Sequence, residues 1–140
     1  MSSFVQRTYD QLSQDLCLNK SPLVILVYWG GISDADATHL CSFDMSMMSN
    51  IPNLTYLCPV NKEEYLAMLE YAYAQNEGPV VIRVPSCQLE SCGCEDKTDY
   101  SISNKFKVVE NGEKIALLGL GNFFNLAKDV KKEIQSKLNI

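Results

Sequence analysis

The chain has 140 residues, 46% of them hydrophobic and 21% charged, with a net charge of −5. Such a length and composition suit one compact folded unit and exclude a disordered chain. The negative charge argues against nonspecific nucleic-acid binding, which needs a positive surface to displace counterions. No apolar run approaches the roughly 20 residues that span a bilayer. The first residues carry no basic region followed by an apolar core, so the expected location is cytoplasmic.

Taken in order, Ser2 to Cys17 reads as a helix, because Val5, Tyr9, Leu12 and Leu16 make one apolar stripe. Asn19, Ser21 and Pro22 end it, and Pro22 biases its predecessor away from helix. Leu23-Val-Ile-Leu-Val-Tyr-Trp29 is continuously apolar, which predicts a strand covered on both faces. A glycine-, serine- and aspartate-rich loop, Gly30 to Phe43, follows and holds the only histidine, His39. Loops leaving the carboxyl ends of strands are where open α/β sheets bind ligands. A short helix is expected over 41–49, a second strand over Leu54 to Cys58, and a helix capped by Asn61 and Glu64 running to about Gln75. That helix places Tyr65, Met68, Leu69 and Ala72 on one face. Gly78-Pro79 breaks it, and Val80 to Val84 is a third strand. Alternating strands and helices predict βαβ units and a parallel sheet.

Ser86 to Asn104 is polar, acidic and aperiodic, and reads as a linker. Phe106 to Val109 and Lys114 to Leu118 flank Asn111-Gly112, a hairpin signal. A final helix is expected from Phe123 to Leu138, with Leu126, Val130, Ile134 and Leu138 spaced by fours. The fold class expected is α/β: an incomplete parallel-sheet, three-layer βαβ unit, then the start of a second α/β domain. Both ends look cut. Six cysteines are present, and without a secretory signal Cys17, Cys41 and Cys58 read as buried free thiols. Cys87, Cys92 and Cys94 form C-x4-C-x-C; zinc sites usually pair two C-x2–4-C groups, so a flexible linker with oxidation-prone thiols is expected and no metal. Gly119-Leu-Gly121 lacks the third glycine of a dinucleotide fingerprint, Phe124 standing in its place.

Several stretches resemble the 1-deoxy-D-xylulose-5-phosphate synthase family of transketolase-like enzymes. Ser2-Ser-Phe-Val-Gln-Arg-Thr-Tyr-Asp-Gln11 is similar to that family's Ser-Thr-Phe-x-Gln-Arg-Ala-Tyr-Asp-Gln. Thr38-His39 followed by Phe43-Asp44 is similar to its Thr-His-x-Gly-x-Phe-Asp, and Ile51-Pro52-Asn53 and Gly78 to Pro85 also match. The resemblance implies that residues 1–86 are the later part of a pyrimidine-binding domain, 87–104 a cysteine-containing linker, and 105–140 the start of a C-terminal domain. It further implies a homodimeric enzyme using thiamine diphosphate and Mg²⁺, which decarboxylates pyruvate and joins the two-carbon unit to glyceraldehyde 3-phosphate in isoprenoid, thiamine and pyridoxal synthesis. The family's Gly-Asp-Gly diphosphate motif is not found in these residues, and its activating glutamate would lie before Met1. The chain alone is therefore expected to be inactive. Other readings are a different transketolase-like enzyme, such as transketolase or a 2-oxo acid dehydrogenase β subunit, and a non-catalytic partner-binding module.

By the same resemblance, His39 is the candidate catalytic residue. An imidazole gives and takes protons near neutral pH; the other reading is a surface histidine without a role. Asp36 is a candidate to orient it, against the reading that Asp34 and Asp36 simply cap and solvate the loop. The family's aspartate stands four residues before the histidine, where this chain has Ala35, with Asp34 and Asp36 on either side. Phe4 and Arg7 are candidates for cofactor binding, Phe4 by stacking on the pyrimidine, against ordinary packing and a solvated surface charge. Arg83 is the candidate for the substrate phosphate, against a structural ion pair. Tyr28, where the family has an arginine, and Ser86-Cys87 after Pro85 depart from the family's phosphate site.

Overall fold

The structure, a computed structural model, describes residues 2–31, 37–39, 43–101 and 107–138. The N-terminal stretch is helical, as its apolar stripe requires, but not as regular α-helix. It winds as a 3₁₀ helix over Ser2–Thr8 and as a wider π-helix over Gln11–Cys17. Leu12 and Cys17 are its buried residues. Among the described residues three strands follow: β1 (Val24–Gly30), β2 (Thr55–Leu57) and β3 (Val80–Pro85). The helices are α1 (Asp44–Met48), α2 (Lys62–Ala74) and α3 (Phe123–Leu138), and Ala37–His39 forms a single 3₁₀ turn.

The sheet is parallel, in the order β1-β3-β2. Val80 sits opposite both Val24 and Thr55, and Ile82 opposite both Leu26 and Leu57. Because side chains alternate along a strand, the two faces collect different partners. Ile25, Val27, Tyr56 and Val81 point towards the N-terminal helical segment and α1, where Leu12, Cys17, Met48 and Ile51 complete a core. Val24, Leu26, Leu57, Val80 and Ile82 point towards α2, packing on Met68, Ala72, Tyr65 and Leu69. These are the three layers expected from the sequence. The central strand, buried along nearly its whole length, is β3. The longer apolar run, β1, lies at an edge, and both its faces are covered only until Tyr28 and Trp29, which are each nearly half exposed. Trp29 has φ +62°, at the bulge where the β1–β3 register slips between Tyr28 and Gly30. A bulky residue in the left-handed region is strained, and here it forms the bulge after which Gly30 still pairs with Pro85 before the loop begins.

The cap on α2 forms as expected, with one shift of partner. The Asn61 side chain accepts the Glu64 N–H at 2.8 Å, while the Glu64 carboxylate accepts the N–H of Val60, not that of Asn61, at 3.0 Å. After α2, the Gln75 side chain organises the turn by accepting from Glu77 N–H and donating to the Gly78 carbonyl. Among the described residues no helix is long and apolar enough to cross a membrane.

The hairpin expected around Asn111-Gly112 is not formed: the described residues 107–118 contain no strand. A two-stranded hairpin is marginal on its own and needs a further strand or a helix under its apolar face. Val108, Val109, Ile115, Leu117 and Leu118 lie exposed. The expected final helix is present as α3, with no buried residue. It is tied to the rest of the chain by Asn125, which donates to the Glu90 carboxylate, and by Lys131, which pairs with Glu110. Gly121, at φ +56°, passes so close to Cys58 that a Cβ would stand 2.6 Å from the Sγ.

Candidate functional site

The N-terminal helical segment packs on β1, on α1 and on the Ala37–His39 turn, and this brings three of the five candidate residues together. Phe4 meets the His39 imidazole edge to face, with centroids 5.7 Å apart and planes at 89°. The Arg7 guanidinium lies over the Phe4 ring, 5.3 Å from its centroid, within cation–π range. Phe4 and Arg7 are three residues apart, which one helical turn places side by side. His39 is half-buried, and its Nδ1 lies 2.9 Å from the Thr38 hydroxyl. Phe4 keeps 46% of its surface open. The result is an exposed aromatic ring flanked by a cation and an imidazole. Asp36 lies outside the described residues.

Arg83 belongs to a second group. It rises from β3 on the face turned towards α1, and its Nε and Nη2 donate to the two carboxylate oxygens of Asp44 at 2.7 and 3.3 Å. Both side chains are buried. Tyr56 on β2 donates its hydroxyl to the same carboxylate at 2.7 Å. Burial alone would lower the Arg83 pKa, but the bond to Asp44 and its charge outweigh that and hold the guanidinium charged. Burial first, and then the bond to Asp44, push the Tyr56 phenol far above its ordinary range. The ion pair weighed for Arg83 from sequence is thus present.

The head of Arg83 lies directly beneath the start of the loop. A Cβ on Gly30 would stand 2.5 Å from its Nε, and one on Gly31 would stand 3.2 Å from Nη2 and 3.4 Å from Nη1. Gly30-Gly31 are therefore glycines for a packing reason, and Gly31 also adopts φ +106°. Sequence reasoning assigned no role to Asp44 or Tyr56. Asp44 was in view within the Phe-Asp pair after His39, but nothing in the spacing joins it to an arginine 39 positions away. Among the described residues, no three His, Cys, Asp or Glu side chains converge as metal ligands.

Residues 1–90 match the family described as transketolase, pyrimidine binding domain. The chain is 38% identical over 130 residues to a 1-deoxy-D-xylulose-5-phosphate synthase of Glaesserella parasuis, covering 92% of this chain and 21% of that protein. It is 36% identical over 134 residues to the synthase of Lachnoclostridium phytofermentans, covering 95% and 21%. It is 31% identical over 137 residues to a 1-deoxy-D-xylulose-5-phosphate synthase 2 of a Jannaschia species, covering 97% and 22%. The chain thus spans about a fifth of the length of these relatives. Among solved structures, its fold is similar to a split gene transketolase described as an inactive β4 tetramer, with a TM-score of 0.59 and 23% identity over 69% of this chain and 31% of that one. A parallel α/β sheet, a loop histidine packed on an N-terminal aromatic ring, and the family match over residues 1–90 lead to one assignment: the chain belongs to the transketolase pyrimidine-binding-domain family.

Proposed function

We propose that this chain is part of a 1-deoxy-D-xylulose-5-phosphate synthase. In this reading residues 1–86 are the later part of its pyrimidine-binding domain, 87–104 a linker and 105–140 the start of its C-terminal domain. The observation that carries the proposal is the meeting of His39 with Phe4 and Arg7, residues from two stretches more than thirty positions apart, at one place where the Phe4 ring stays open. The reaction proposed is the decarboxylation of pyruvate and transfer of the two-carbon unit to glyceraldehyde 3-phosphate, in a cytoplasmic homodimer.

The residues present fit a thiamine group. An open aromatic ring beside a guanidinium and an imidazole suits a flat heterocycle carrying both ring nitrogens and an amino group. When bound with Mg²⁺, thiamine diphosphate supplies the nucleophilic carbon and the electron sink that the carbon–carbon chemistry requires. Phe4 provides the ring against which the pyrimidine rests, and Arg7 polarises that ring from its face. His39 holds a proton at the ring nitrogen not facing Thr38 and exchanges it with the substrate oxygens. Asp36 is proposed to orient His39. Arg83, fixed by Asp44 with its Nη1 and Nη2 against Gly31, is proposed to meet the substrate phosphate at the mouth of the loop.

A chimera tests this reading. The matching segment of the Glaesserella parasuis synthase, replaced by these 140 residues, is expected to leave an enzyme that condenses pyruvate and glyceraldehyde 3-phosphate. Within it, His39→Ala is expected to lower kcat about 100-fold or more, the usual scale for losing a general acid–base. A folded chimera whose turnover is indifferent to His39 overturns the assignment. Arg83 is tested by the acceptor: Arg83→Lys should raise the KM for glyceraldehyde 3-phosphate while leaving that for unphosphorylated glyceraldehyde unchanged.

A further inference from the structure

Residues 86–95, all exposed but the half-buried Leu89, lack regular structure, yet they are tied to the start of α2 and do not trail free. The Glu63 carboxylate, in the first turn of α2, accepts the Ser91 hydroxyl through one oxygen and the Cys92 N–H through the other at 2.9 Å. The Ser91 hydroxyl oxygen in turn accepts the Gly93 N–H at 3.2 Å, and the Lys62 N–H donates to the Glu90 carbonyl at 3.0 Å. The loop so held carries two exposed thiols, with Cys92 Sγ and Cys94 Sγ only 3.0 Å apart. Gly93 between them has φ +72° and open space where a Cβ would stand. Only glycine turns there without strain, and the turn faces the two side chains towards each other.

We propose that Cys92 and Cys94 form a thiol–disulfide couple, positioned by Glu63, that reacts with low-molecular-weight disulfides. The Cys92 thiol also donates to the Cys94 carbonyl at 3.4 Å, and its bond to the neighbouring Cys94 sulfur, first of all, raises its pKa. One sulfur of the pair, as its thiolate, attacks one sulfur of the incoming disulfide, forms a mixed disulfide and expels one thiolate, which takes up the proton of the neighbouring thiol. The second sulfur of the pair, now a thiolate, then attacks the first, closes the ring and expels the second small thiolate. Two thiols of the chain are oxidised and one small disulfide is reduced to two thiols. An exposed disulfide closed over a single intervening residue belongs with the labile, reversible class rather than with structural cross-links. Ring closure redraws the backbone at Cys92, and with it the clamp on α2.

The test uses the 140-residue chain in buffers of graded glutathione to glutathione disulfide ratio. Free thiols are alkylated, and the chain is then cut by a glutamate-specific protease. Cleavage after Glu90 and Glu95 isolates residues 91–95, separating Cys92 and Cys94 from Cys87. The expected product is an unalkylated 91–95 peptide lighter by two hydrogens, reversible on reduction and retained in Cys87→Ser. Cys92→Ser and Cys94→Ser should each stall as the mixed disulfide. In Glu63→Gln the ratio of ring-closed to mixed disulfide should fall several-fold. Only mixed disulfides in the unaltered chain, or a bond to Cys87, would overturn the couple; an unchanged product ratio in Glu63→Gln would overturn the positioning role.

Discussion

Asp44 accepts from two side chains at once, and its neighbours differ in what they contribute. Removing Tyr56 by Tyr56→Phe leaves both carboxylate oxygens still bonded to Arg83, so the expected loss is about 1 kcal/mol, that of one hydrogen bond. Asp44→Ala instead strands a buried guanidinium, and the expected loss is roughly 3–5 kcal/mol. Asp44→Leu combined with Arg83→Met should cost less than Asp44→Ala, because no charge is left uncompensated. Urea unfolding midpoints of the four chains test this ordering. Tyr56 also sets an alkaline limit. Its folded pKa lies above the unfolded value, so its contribution to stability is complete below the ordinary tyrosine pKa of about 10 and is lost as the pH climbs past it. Ultraviolet difference titration should find Tyr56 un-ionised until the fold opens. Tyr100 should behave likewise, raised by burial and then by its bond to Asp96.

Among the elements, α2 carries the sharpest tests because its start does two jobs. Asn61→Ala removes the cap and should cost about 1 kcal/mol. The clamp from Glu63 onto Ser91 and Cys92 holds that carboxyl down to about 2. A depressed acid stabilises above its ordinary pKa and loses that contribution as the pH falls through the folded value. The Cys92 amide resonance should therefore shift with a midpoint near 2, not in the usual carboxylate range. Much of this level was legible in the sequence. The strands, the α2 cap and the extent of α3 follow from local periodicity and turn residues, which act over a few positions. Strand order did not follow, and so β1, with the longest apolar run, was not foreseen as an edge. The Asn-Gly hairpin failed for a related reason: a turn signal is local, but a strand needs a ladder partner, and residues 107–118 find none among the described residues. The Phe4–His39 contact was anticipated only as two separate roles carried over by resemblance. The Arg83–Asp44 bridge was weighed without its partner, because the pairing exists only once β3 and α1 are stacked.

For the whole molecule, stability is concentrated in the first 85 or so residues. Both core clusters draw on β3 and its two neighbours, while α3 adds no buried residue. Hydrogen exchange should accordingly be slowest at Val81 and Ile82 and fast throughout 107–118, since protection follows local burial and hydrogen bonding. Incubated with pyruvate, thiamine diphosphate and Mg²⁺, the 140 residues alone are expected to release no carbon dioxide, because no Gly-Asp-Gly diphosphate motif occurs among them. Measurable release would sink that expectation and require a cofactor site built from other residues.

The closeness of Gly30 to Arg83 has an epistatic consequence. Any side chain at position 30 collides with the stem and head of the arginine, so Gly30→Ala should be rejected while Arg83 is present. Once Arg83 is replaced by a short residue, the collision is gone, and Gly30→Ala should become tolerable in the same background. In a library randomised at positions 30, 44 and 83 and selected for folding, glycine, aspartate and arginine should be recovered or lost together, as one inherited unit rather than three independent choices.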